Sequence, residues 1–155
     1  MRTTPDWLEL KRSIRAEFPG VPQISTEELA EWLNDPSREP PVLLDARDPK
    51  EFAVSHLRNA HLAPDVATAV RVVGDAKPNP PIVVYCSVGY RSSRLAKDLM
   101  DRGFANVANL EGSIFQWANE ERPVYQGSER VERVHPFDNT WGRLLDSRFR
   151  ERTDK

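Results

Sequence analysis

The residues most capable of chemistry lie in one short run, Cys86-Ser87-Val88-Gly89-Tyr90-Arg91-Ser92. It follows an apolar stretch of strand type and runs into a helical pattern. In an open parallel α/β sheet, ligands gather beyond the carboxyl ends of the strands, so a strand-to-helix loop holds its thiol where sites form. Gly89 can take backbone angles closed to other residues and lets the loop curl its amides toward the sulfur. The unpaired N–H groups at the helix start favour an anion there. Such a loop stabilises a thiolate, the nucleophilic form of cysteine, and can also hold an oxyanion brought to it. Arg91 adds a permanent cation whose forked donors suit oxygen anions. Arg91, Arg94, Lys97 and Arg102 against Asp98 and Asp101 make residues 86–102 locally basic. A lone cysteine after an apolar strand also serves as a small core residue. The Gly-containing loop and the arginine at its end favour the functional reading.

The elements that must position this loop read as alternating strands and helices. A helix is expected over residues 4–18, capped by Thr4, with Pro5 at its first position and Trp7, Leu10, Ile14 and Phe18 near one face. Ser25-Thr26-Glu27-Glu28 fits a capping box that opens a helix with Leu29, Trp32 and Leu33 on one stripe. Residues 41–45 form a short apolar strand ending at Asp45, and Asp48-Pro49-Lys50-Glu51 opens another helix. Residues 60–62 suggest a brief strand, and 65–73 a helix. Ile82-Val83-Val84-Tyr85 is the clearest strand. A helix over 91–102, closed by Gly103, a strand over 106–110 and a short helix around Ile114-Phe115-Gln116-Trp117 complete the series. Strand, helix, strand in repetition implies α/β architecture with a parallel sheet covered on both faces. In residues 126–155, basic and acidic side chains alternate. Trp141, Leu144, Leu145 and Phe149 give one narrow helical stripe, expected to pack on its own domain or, through 138–150, to dock a protein partner.

The loop resembles the Cys-x-x-Gly-x-Arg-Ser active-site loop of rhodanese-like sulfurtransferases. Leu44-Asp45-Ala46-Arg47-Asp48-Pro49-Lys50-Glu51-Phe52, with His56-Leu57 and Ala60, resembles that family's Asp-x-Arg…Glu signature. Leu110-Glu111-Gly112 and Trp117 are similar to its closing segment. Ser55, Asn59 and Ser113 stand where the family often has glycine, and only small backbone adjustments are expected. The resemblance covers residues 22–125, leaving an N-terminal helical extension (1–21) and a C-terminal extension (126–155) with an amphipathic helix. It implies a three-layer fold with a parallel sheet of about five strands. It also implies a persulfide carried on Cys86, with Ser87, Val88, Gly89, Tyr90, Arg91 and Ser92 binding substrate and Asp45, Arg47 and Glu51 in support. Donor and acceptor would be a small sulfur-containing anion such as thiosulfate and a thiol or protein. Competing readings are a non-enzymatic sulfur carrier or interaction module, and a phosphatase or arsenate reductase. The last pair use a loop with five intervening residues, whereas four separate Cys86 from Arg91.

Several residues have plainer expected roles. Asp45 either orients loop amides or accepts local N–H bonds. Arg47 and Glu51, four apart around a helix start, are expected to form an ion pair. His56, His61 and His135 are assigned to packing and hydrogen bonding, and Trp7, Trp32, Trp117 and Trp141 to core anchoring.

The 155 residues suit one domain, with 39% apolar and 30% charged side chains. Lys and Arg total 22 against 24 Asp and Glu, a formal charge of −2. That balance offers no global field for nucleic acid or an anionic membrane, and neither partner is expected. No apolar run approaches the roughly 20 residues that span a bilayer, and no signal-type segment follows Met1, so a cytoplasmic protein is expected. One cysteine allows no intramolecular disulfide and no zinc site of several thiolates, and no metal or cofactor is expected.

Overall fold

Two four-residue runs, the largely apolar Val42–Asp45 and the β-branched Ile82–Tyr85, are too short for helices, and they pair at the centre of the sheet. The computed structural model describes residues 6–74 and 79–152. Its elements run α1 (Trp7–Glu17), β1 (Gln23–Ile24), α2 (Thr26–Leu33), β2 (Val42–Asp45), α3 (Pro49–Val54), β3 (His61–Leu62), α4 (Val66–Gly74), β4 (Ile82–Tyr85), α5 (Tyr90–Asp101), β5 (Val107–Leu110), α6 (Ser113–Asn119), β6 (Val124–Gln126) and β7 (Glu129–Val131).

The sheet order is β1-β5-β4-β2-β3 and every pairing is parallel. Every residue of β4 is buried, as expected for a central strand covered by helices on both faces. The expected α/β sheet of about five strands is therefore present. Its fifth strand, β1, is two residues long, too short to show a period in the sequence.

Helix starts follow local chemistry. Ser25 with Glu28, and Asp48 with Glu51, form complete capping boxes at α2 and α3. Thr4 and Pro5, expected at the first helix start, lie outside the described residues; the observed cap of α1 is Asp6, whose side chain accepts the Leu8 N–H. Along α2, Leu29 is buried but Leu33 is exposed, so the expected stripe is narrower than Leu29, Trp32 and Leu33 together. Of the tryptophans expected as core anchors, Trp117 is buried; Trp7, Trp32 and Trp141 are half-buried. His56 is buried against Phe52, whereas His61 is exposed on an edge strand, where packing cannot be its role.

The C-terminal extension corrects the sequence reading. A β6–β7 hairpin is followed by two separate 3-10 turns, Trp141–Leu144 and Ser147–Phe149, in place of one amphipathic α-helix. Asn119 of α6 explains the break. Its amide donates to the Leu144 carbonyl (2.7 Å) and accepts the Asp146 N–H (2.8 Å), taking the backbone groups a continuing helix would use. Leu144 and Leu145 are buried and Phe149 is half-buried, so the stripe packs on its own domain. Among the described residues no helix is long and apolar enough to cross a membrane.

Candidate active site

Strand β4 delivers Cys86 to the carboxyl edge of the sheet, and α5 begins four residues later. Gly89 caps that helix at φ +129°, a conformation that side chains rarely adopt, and a Cβ there would meet Ile14 of α1 at 3.2 Å. The turn aims the Gly89 N–H at the Cys86 Sγ (3.1 Å). The Ser92 Oγ, one turn into α5, lies 3.3 Å from the same sulfur. The thiol is only 1% exposed.

The first turn of α6 holds the other side of the loop. The N–H groups of Ile114 and Phe115 donate to the carbonyls of Cys86 and Ser87, each at 3.1 Å. The Cys86 N–H donates to the Ser113 Oγ (3.2 Å), which donates to the Leu110 carbonyl (3.0 Å). Helix-start donors that would otherwise lack partners thus fix the backbone of the nucleophile.

Glu51, nearly fully buried, ties the loop to α3. Its carboxylate accepts both prongs of the Arg91 guanidinium (2.9 Å each), the Ser87 hydroxyl (3.1 Å) and the Asp48 N–H of its capping box (3.2 Å). Burial alone would raise its pKa, but the hydrogen bonds and charge of Arg91 hold the carboxyl below its ordinary value. Arg91 also donates to the Ser87 Oγ (2.9 Å), and the Phe137 ring covers its guanidinium at 4.6 Å. Arg91 is therefore committed to bracing the loop. Burial opposes its charge, but Glu51 and the nearby sulfur strengthen the cationic form.

The expected Arg47–Glu51 ion pair is not formed. Arg47 precedes the cap of α3, so four-residue helical spacing does not bring the two together. Arg47 instead grips Asp45, Nε to Oδ1 at 2.8 Å and Nη2 to Oδ2 at 2.6 Å, and donates to the Ser55 carbonyl at 2.6 Å. Both side chains are 0% exposed. Asp45 also accepts the Arg47 N–H (3.0 Å), so of its two expected roles the local one holds. Behind the pair, the Tyr85 hydroxyl accepts the Leu57 N–H, and burial keeps this phenol far from ionising.

The sequence singled out Ser87, Val88, Gly89, Tyr90, Arg91 and Ser92 as binding residues. The first three and Ser92 are buried around the thiol, and Tyr90 and Arg91 are half-buried at the rim. Two of the three histidines hold backbone. His56 Nδ1 bonds the Leu57 carbonyl and its Nε2 accepts the Gly127 N–H, while His135 accepts the Phe137 N–H.

Sequence reasoning missed Asn109 and the supporting role of Ser113. Asn109, buried on β5, accepts the Ser92 hydroxyl at 2.5 Å and donates to Gln23 of β1 at 2.7 Å. A polar residue inside the run Val107-Ala108-Asn109-Leu110 was the available signal, because a buried amide needs partners. Ser113 and Asn59, two of the departures from glycine, keep left-handed backbones at φ +51° and +65°. Among the described residues no group of three or more His, Cys, Asp or Glu side chains is placed to hold a metal ion.

Comparison with known proteins matches residues 25–120 to a family model described as Rhodanese-like domain. A protein named Sulfurtransferase from Allochromatium vinosum is 32% identical over 104 residues, covering 67% of this chain and 94% of that protein. The probable adenylyltransferase/sulfurtransferase MoeZ of Mycobacterium tuberculosis is 30% identical over 101 residues, 64% of this chain, which spans only 25% of that longer protein. A thiosulfate sulfurtransferase from Pseudomonas aeruginosa shares the fold at TM-score 0.65 and 24% identity, over 80% of this chain and 23% of its own.

Proposed function

The chain belongs to the rhodanese-like domain family, and from that membership we propose a sulfurtransferase that carries sulfur on Cys86. The observation that carries this reading is the sulfur itself, held by the Gly89 amide at the start of α5 in a loop with four residues between Cys86 and Arg91. Relatives named as sulfurtransferases support it.

In the proposed cycle, the Cys86 thiolate attacks the outer sulfur of thiosulfate. A sulfur–sulfur bond forms at Cys86, the bond in the donor breaks, and its electron pair leaves with sulfite. The remaining Cys86 persulfide is an anion. The Gly89 N–H is the donor closest to it, fixed before reaction and so needing no reorganisation, while the Ser92 hydroxyl, whose one proton goes to Asn109, lies 3.3 Å from the sulfur. A thiophile then takes the outer sulfur: cyanide leaves as thiocyanate, a thiolate as a persulfide, and Cys86 returns as thiolate. Arg91 serves this chemistry chiefly by holding Ser87 and Glu51 in register. With four intervening residues, the ring of the loop is one residue short of the Cys-x5-Arg ring that surrounds phosphate.

Intact mass after incubation with thiosulfate tests the reading. The expected result is a gain of one sulfur atom on the reduced protein, reversed by cyanide and absent in Cys86→Ser. No gain on folded, reduced protein removes thiosulfate as the donor and shifts support to a carrier loaded by another protein.

A further inference from the structure

The Cys86 sulfur is 1% exposed although its loop sits at the open edge of the sheet. Four elements cover that loop. α3 reaches it through Glu51 and α6 through the Ile114 and Phe115 amides, and both lie inside the family-matched residues 25–120. The other two lie outside that range. Ile14 of α1 abuts Gly89, and the C-terminal extension sets Phe137 on the Arg91 guanidinium (4.6 Å) and Trp141 edge-on to Tyr90 (6.3 Å between centroids).

This aromatic cover is fixed in place. Val134 is fully buried and pairs with the segment around Phe149, donating to its carbonyl and accepting the Glu151 N–H. Asp138 accepts the Trp141 N–H at 2.7 Å, and Leu144 and Leu145 anchor the segment in the core. Phe137 itself is 43% exposed and sits at φ +70°. A left-handed backbone at a phenylalanine is strained, and such strain persists where the surroundings impose it, commonly at functional sites. Here the His135 imidazole holds the Phe137 N–H at 2.9 Å and directs the ring onto Arg91. The rim residues Tyr90 and Arg91 also border, with Phe18 and Arg94, an open surface depression of about 430 Å³ that Phe137 and Trp141 do not line.

We propose that Phe137 and Trp141 determine acceptor specificity: they roof the rim residues Arg91 and Tyr90 and restrict the persulfide to small thiophiles, excluding a cysteine borne on a folded protein. This rests on the sulfurtransferase reading, so the test has an arm that does not.

In the first arm, persulfidated protein is offered cyanide, glutathione and a small folded protein with one exposed cysteine. Wild type is expected to serve the first two and to be slow with the third. In Phe137→Ala and in Phe137→Ala/Trp141→Ala, the protein-thiol to cyanide ratio of kcat/KM should rise about tenfold, because the cover over Arg91 and Tyr90 is opened. Phe137→Tyr, which keeps the ring, should retain the wild-type ratio. A general loosening would move both acceptors together. The second arm alkylates resting Cys86 with iodoacetamide and with a polymer-linked maleimide, and the bulky-to-small rate ratio should rise in the same variants. Unchanged ratios in folded variants, or a wild type that serves the protein thiol as readily as glutathione, overturn the proposal. Failure of wild type to take sulfur from thiosulfate counts against the function alone, since the alkylation arm still reads the roof.

Discussion

Asp45 and Arg47 show how much one contact can decide. Both are fully buried and joined by two hydrogen bonds, and the Arg47 Nη1 finds no hydrogen-bond partner among the described residues. Two charges taken out of water are tolerated together, but either alone is an uncompensated buried ion. Arg47→Met leaves the Asp45 carboxylate without its partner, and a loss of about 3–5 kcal/mol is expected in chemical denaturation. Asp45→Asn/Arg47→Met should recover part of that loss, because the orphaned charge is gone. Equal stability of the single and double variants would show that the pair is not coupled. The sequence marked both residues as supporting the site. It misassigned the partner because spacing reports neighbours on a helix, and Arg47 lies before one. The Asn109 contact to Ser92 was illegible for a related reason: it joins β5 to α5, and only the packed sheet brings them together.

Among the elements, the C-terminal extension departs most from its sequence pattern. The apolar stripe at Trp141, Leu144, Leu145 and Phe149 has helical spacing, yet Asn119 captures the backbone groups between the two turns. A tertiary hydrogen bond overrides a local period wherever it satisfies backbone groups the helix would otherwise need. What survives is the burial that the stripe encodes. Leu145 is fully buried, and Leu145→Ala should cost roughly 2–5 kcal/mol by melting or denaturant titration. A cost under about 0.5 kcal/mol, the range of surface changes, would show that the extension is not part of the core. The helix starts at Ser25 and Asp48 were legible because a capping box is a four-residue property.

The whole molecule is held together in part by carboxylates that bridge elements. Glu51 joins α3 to the loop and α5, and Glu120 joins the end of α6 to Thr26 of α2. Burial pushes both carboxyls up, but hydrogen bonds overrule it and hold both below their ordinary values. A depressed folded-state pKa stabilises the fold fully above the unfolded value near 4.5 and is lost as pH falls through the lower folded value. Acid should therefore weaken the protein below about pH 4.5, where the unfolded chain binds protons the folded one does not. Glu51→Gln should be less stable at neutral pH and show a shallower loss of stability across that window. Parallel wild-type and variant curves from denaturant titrations at several pH values would contradict this link.

By itself the sequence determined the α/β class, the central strands, the capped helix starts and the loop that holds Cys86. Each is written in neighbouring residues, through apolar runs, capping pairs and the spacing from cysteine to arginine. The tertiary structure alone decided that Glu51 takes Arg91, that Asp45 takes Arg47, that Asn109 and Ser113 support the thiol's loop, and that Phe137 and Trp141 roof its rim. Those contacts join residues far apart in the chain, and which buried charge or amide finds which partner is settled by packing, where leaving any of them unpaired is costly.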